Sequence, residues 1–114
     1  MMRIEQINGC YVVTFNDISK FNALITDMVK EQLNSLFSKP DVKLILNLKG
    51  VKYIDSTGFG VFLSVMKTAR LSKGEFKICG IENDAMVLFK ILQLNNVFEI
   101  YDNLEVCLNS FANK

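Results

Sequence analysis

Asp55-Ser56-Thr57-Gly58-Phe59-Gly60 stands between an apolar run, Leu44-Ile45-Leu46-Asn47-Leu48 with a connector ending in Tyr53-Ile54, and a helical pattern over 61–71. An acid, two hydroxyls and a glycine therefore fall where a buried strand hands over to a helix. A hydroxyl there is exposed, close to a carboxylate and at the positive end of a helix dipole. That is a poor place for a core residue and a good place for a switch.

Working outward, 4–7 and 11–15 read as two strands joined at Asn8-Gly9, a strong hairpin signal. Positions 16–22 form a polar connector, and Asn22 is placed to cap a helix running from 23 to about 38. Ile25, Met28, Val29, Leu33, Leu36 and Phe37 share one face of that helix, and Pro40 ends the segment. Strand 43–48 is rich in Leu and Ile, as expected of a strand buried on both faces. The helix that follows ends near Ser72-Lys73-Gly74, with Phe59, Phe62, Leu63, Met66 and Ala69 inward. Gly60, Ser64, Lys67 and Leu71 define another face, with Val61 and Val65 between the two.

A strand over 75–80 comes next, then a helix from 85 to about 94 capped by Asn83 or Asp84, with Leu88, Phe89 and Leu92 inward. A strand over 97–101 and a helix over 104–111 complete the order ββαβαβαβα. One hairpin followed by alternation implies parallel crossovers. The expected fold is α/β, a single domain over 1–114 with a mixed, mostly parallel sheet, an N-terminal hairpin and about four helices.

Length and composition fit that reading. The 114 residues suffice for one domain, and half are hydrophobic. The net charge of +1 argues against a nucleic-acid binder driven by phosphate neutralisation. No apolar run approaches the roughly 18–20 residues of a membrane span, and the first residues lack a secretory apolar region. The three cysteines, Cys10, Cys79 and Cys107, show no metal or redox spacing and read as buried thiols in a reducing cytoplasm. Histidine is absent, which removes Ser-His and Cys-His nucleophile arrangements.

Enzymatic readings of the 55–60 stretch fail on particular residues. An aspartic protease needs a second Asp-Thr/Ser-Gly loop, and an extra residue here separates Asp55-Ser56 from Gly58. A hydrolase elbow needs a small residue where Ile54 stands, and a histidine. No Walker-type phosphate loop is present, and Gly58-Phe59-Gly60 is too short for a dinucleotide fingerprint. The residues imply no catalytic group, cofactor or metal. Two readings stay open. Ser56 can be a helix cap worth about 1 kcal/mol. It can also be a phosphorylation site, where a phosphate would bring about −1.5 to −2 charge and three acceptor oxygens to a helix start.

The same residues resemble the signature of the bacterial anti-sigma factor antagonists, the small STAS domains. The resemblance runs through Leu44-Ile45-Leu46-Asn47-Leu48, through Tyr53-Ile54-Asp55-Ser56-Thr57-Gly58-Phe59-Gly60-Val61, and through Lys73-Gly74-Glu75-Phe76-Lys77-Ile78-Cys79-Gly80 with Leu88-Phe89. It implies that Ser56, or less readily Thr57, is phosphorylated by an anti-sigma factor with a histidine-kinase-like ATPase fold. It implies further that the unmodified domain binds that partner and frees a sigma factor, and that a PP2C-type phosphatase resets the modified form. The domain would be a cytoplasmic protein-binding module, not an enzyme, contacting its partner through Asp55, Ser56, Thr57, Gly58, Gly60, Val61, Ser64, Val65 and Lys67. An alternative within the family is a non-phosphorylated scaffold or accessory domain in a stress-signalling or lipid-transport complex. Two departures from the family pattern stand out. Ser19, with Asp17 slightly earlier, occupies the loop where relatives often carry an Asp, and Gln93-Leu94 replaces a Gly-Leu pair, leaving Asn95 or Asn96 to supply the left-handed turn.

Overall fold

The computed structural model describes residues 2–112, with the side chain of residue 112 left aside. The hairpin pairs β1 (Met2–Ile7) with β2 (Cys10–Phe15) in antiparallel register, Ile7 opposite Cys10. Asn8 and Gly9 both take positive φ, 52° and 80°, which is what a two-residue turn matched to strand twist demands.

The main sheet has five strands in the order β1-β2-β4-β6-β7, where β4 is Lys43–Asn47, β6 Glu75–Cys79 and β7 Glu99–Tyr101. Every pairing after the hairpin is parallel. β4 lies in the middle, and Leu44, Ile45 and Leu46 are all fully buried, as the unbroken apolar run requires. The four helices are α1 (Ala23–Ser35), α2 (Ser56–Leu71), α3 (Asn83–Ile91) and α4 (Leu104–Ala112).

Strand alternation divides the interior in two. Val13, Leu44, Leu46, Phe76 and Ile78 pack with residues of α1, α2 and α3 in the larger core. Cys10, Val12, Ile45 and Cys79 point the other way and meet Cys107 and Phe111 of α4. The larger core is knit by Phe21, Phe59, Phe62, Phe89 and Phe98, whose rings meet edge-on, tilted or stacked at 5.0–6.4 Å.

Several expectations need correction. Part of the supposed polar connector is strand β3 (Lys20–Phe21), which pairs in parallel with β5 (Tyr53–Ile54) as a separate two-stranded sheet. Phe21 is fully buried there. α1 stops at Ser35 rather than near 38, although Phe37 still packs inward. α3 begins at Asn83 behind Glu82, with no side-chain cap, so neither Asn83 nor Asp84 caps it. It ends at Ile91, and the left-handed residue is Gln93 (φ 59°), not Asn95 or Asn96, which lie in a 3-10 turn over Leu94–Asn96. Met28, Leu63 and Leu92, expected inward, are exposed. Each sits at the margin of a broad apolar arc, where periodicity alone does not mark the edge.

Candidate functional site

The site begins with the small sheet. The Asp55 amide donates to Phe21 O at 3.1 Å, so β3 and β5 fix the point from which α2 departs. The amides of Lys52 and Tyr53 both donate to Ser19 O, at 2.8 and 3.1 Å, which ties the loop before α1 to the same floor. Asn22 caps α1 by accepting from the Leu24 amide at 3.0 Å. Both helices therefore start side by side.

Asp55, not Ser56, is the N-cap of α2. Its carboxylate accepts from the Gly58 amide at 3.1 Å and from the Thr57 hydroxyl at 2.5 Å. The amides of Thr57 and of Ala23, the first residue of α1, lie near it and favour its charged form. Hydrogen bonding from the Thr57 hydroxyl is the main reason its carboxyl lies below the usual range; the amides add to this, and partial desolvation opposes it. One carboxylate thus caps α2 while lying near the start of α1, which Asn22 caps.

Ser56 is the first helical residue and is exposed. Among the described residues its hydroxyl has no hydrogen-bond partner, whereas that of Thr57, also exposed, is committed to Asp55. The two adjacent hydroxyls are therefore chemically unequal. Gly58 is buried and must be glycine for space: a Cβ there would lie 2.7 Å from Ile54 and 2.8 Å from Phe21. Gly60 is exposed, and a Cβ on it would meet nothing within 4 Å.

The expected contact face needs redrawing. Val61 and Val65 are buried, because this side of α2 lies against α1. Half-buried Ser64 shares that contact, accepting from Asn34 Nδ2 of α1 at 3.4 Å. What α2 offers to solvent is a stripe of Ser56, Gly60, Leu63, Lys67 and Leu71, at the three- and four-residue spacing of one helix face. Leu71 is 77% exposed, so the stripe ends on a large apolar side chain left in water. Beside its start, a groove of about 380 Å³ separates the helices, lined by Thr26, Asp27 and Lys30 of α1 and by Thr57 and Gly60 of α2. Asp27 and Lys30 escape sequence reasoning because nothing local places α1 next to the 55–60 stretch.

Among the described residues no group of three or more Cys, Asp or Glu side chains is arranged to hold a metal ion. No helix is long and apolar enough to cross a membrane. A cavity of about 600 Å³ lies elsewhere, at the carboxyl ends of β4, β6 and β7, between Lys49 and the acids Glu82, Asp102 and Glu105.

A hairpin leading into a mostly parallel sheet, with a hydroxyl-bearing helix start set on a small second sheet, defines an α/β module with one helix start exposed at its surface. The chain belongs to the STAS domain family, the family of the anti-sigma factor antagonists: the family's pattern matches residues 1–107. It is 33% identical over 81 residues to the anti-sigma-B factor antagonist of Listeria monocytogenes, 71% of each chain being covered. Its fold is similar to that of an anti-sigma factor antagonist domain protein from Planctomyces limnophilus, with a TM-score of 0.86 and 13% identity over 96% of this chain and 95% of the other. The Bacillus cell fate determinant SpoIIAA in its phosphorylated form aligns with a TM-score of 0.73 and 14% identity, covering 98% of this chain and 99% of that one.

Proposed function

We propose that this protein is an anti-sigma factor antagonist whose partner is a kinase-like anti-sigma factor, and that Ser56 is the switch. The observation that carries this reading is the free, exposed Ser56 hydroxyl at the first turn of α2, next to a Thr57 hydroxyl already held by Asp55. An incoming phosphoryl group is therefore directed to Ser56. Listeria's relative by sequence is an anti-sigma-B factor antagonist, and the Bacillus neighbour by fold exists in a phosphorylated form, both in keeping with this assignment.

The geometry also suggests how a phosphate would act. Asp55 already takes the Gly58 amide, so a phosphate on Ser56 could not use it without displacing that carboxylate. The new charge stays outside, beside an existing anion. Repulsion and added bulk then fall on a partner seated along Ser56, Gly60, Leu63 and Lys67, while the fold is untouched. A PP2C-type phosphatase would reverse the change at the same exposed oxygen. In this scheme the domain works in the cytoplasm as the substrate of its partners and catalyses nothing itself.

The test is incubation of the native chain, Ser56→Ala and Thr57→Ala with a histidine-kinase-like anti-sigma factor and Mg-ATP, followed by mass mapping. Transfer of one phosphoryl group to the native chain and to Thr57→Ala, but not to Ser56→Ala, is the expected result. Transfer to Thr57, or continued modification of Ser56→Ala, would overturn the assignment.

A further inference from the structure

The five-stranded sheet ends on β1, which pairs with β2 alone among the described residues. Arg3, Ile4, Glu5 and Gln6 of this strand are exposed. An open strand edge is a template for another strand, and proteins commonly guard it with a proline or a bulge. β1 has neither: it contains no proline, and its register with β2 runs unbroken from Met2 to Ile7. We propose that β1 is a dimer seam, where a second copy of this chain pairs antiparallel about a two-fold axis at Ile4 and the two sheets become one.

The hairpin decides which backbone groups are on offer. A two-residue turn closes on a hydrogen-bonded pair, here Ile7 and Cys10, and bonded pairs then alternate along the ladder. Glu5 and Arg3 therefore commit their amides and carbonyls to β2, while Gln6, Ile4 and Met2 turn theirs to the open side. Two copies related by an axis at Ile4 bring these outward groups together. Ile4 then lies opposite its counterpart, and Met2 opposite Gln6 on either side of it. Each of those pairs exchanges both N–H···O bonds.

Charge selects this register over its neighbours. With the axis at Ile4, Arg3 of each copy faces Glu5 of the other in a non-bonded pair, where side chains approach most closely. Sliding one strand by two residues keeps the backbone groups matched but moves the axis to Arg3 or to Glu5, and like charges then meet directly. Within one copy Arg3 and Glu5 lie 3.5 Å apart and both are exposed, so the free edge is neutral and its two charges are available to a partner. Ile4 is 39% exposed and covers its counterpart at the axis, on the same sheet face as Met2, which packs against the larger core. α2 packs on β6, toward the far edge of the sheet, so each copy keeps its own exposed α2 stripe in the assembly.

The experiment is sedimentation equilibrium of the full-length native chain over a range of concentrations. Two strands meeting edge to edge bury less than a standard interface, so the expected result is a dimer at about 500 μM that dissociates by about 5 μM. Ile4→Pro removes an amide that faces the second copy and none that bonds β2, so this variant should be monomeric throughout. Arg3→Glu and Glu5→Arg should each weaken the dimer roughly ten-fold, because like charges then face one another across both halves of the seam. An equal mixture of those two chains sets acids against bases at every such position and should recover the native affinity. A monomer at every concentration, a dimer that survives Ile4→Pro, or a mixture no tighter than its components would each overturn the proposal. The Ser56 reading plays no part in these outcomes.

Discussion

Thr57 Oγ1 lies 2.5 Å from Asp55 Oδ1, inside the first turn of the helix that both residues begin. This bond separates two hydroxyls that the sequence presents as equals, and it makes the acid the keystone of the site. Its removal should be felt in stability before it is felt in binding.

Asp55 should make the fold acid-sensitive. Its folded pKa is depressed, chiefly by the Thr57 hydroxyl. A group of this kind contributes stability above its unfolded pKa, about 3.9, and that contribution is lost as pH falls through the lower folded value. Urea midpoints of the native chain and Asp55→Asn should therefore differ at pH 6 and converge as the pH is lowered from about 3.9 through the depressed folded value. Parallel curves over that range would contradict the role given to this carboxylate.

The two glycines should respond in opposite directions. Gly58→Ala places a methyl within 3 Å of Ile54 and Phe21, and should cost about 1–3 kcal/mol. Gly60→Ala meets nothing and should stabilise α2 by about 0.5–1 kcal/mol. Chemical denaturation of both variants checks the pair.

Ser56→Ala should leave stability within about 0.5 kcal/mol of native, because the hydroxyl has no intramolecular bond to lose. Ser56→Asp should also fold normally, yet lose capture of a kinase-like anti-sigma factor. Leu63→Glu, on the same exposed stripe, should weaken that capture without a matching loss of stability. Isothermal titration beside thermal melts separates the two effects; equal affinity of native and Ser56→Asp protein would refute the switch.

Lys77 should be replaceable by shape. Its amine is 3% exposed at the side chain and held by Glu99, Ser110 and the Phe111 ring. Lys77→Met keeps the stem and should cost less than about 1 kcal/mol or stabilise, since pairing with the exposed Glu99 carboxylate repays little of the cost of burying the ammonium. Lys77→Ala opens a cavity beneath α4 and should cost about 2–4 kcal/mol. Denaturation midpoints of the two variants decide this.

Much of this architecture could be read from residue order. Asn8-Gly9 announces its hairpin because few other residues tolerate two positive φ values in succession. The run 44–48 declares a central strand, and the acid and hydroxyls after it mark the start of α2. Other features depend on contacts that sequence spacing cannot express. β3 is two residues long, too short to show a period, and gains its identity only by pairing with β5. Val61 and Val65 belong to a helix that is apolar over a wide arc; only the approach of α1 decides that they are covered while Leu63 and Leu71 stay outside. The gathering of Cys10, Cys79 and Cys107 into one core likewise arises only when α4 is laid across the sheet.

Setting α1 and α2 on the common floor of β3 and β5 has a further consequence. Backbone bonds fix the floor, and Asp55 and Asn22 each cap one helix start above it, so little slack is left through which an edit at Ser56 could travel inward. Information written on that oxygen stays on the rim of the molecule, legible only to whatever leans against it. Such a domain behaves less like a lever than like a printed label, and its vocabulary can change with a few surface residues while the page beneath stays the same.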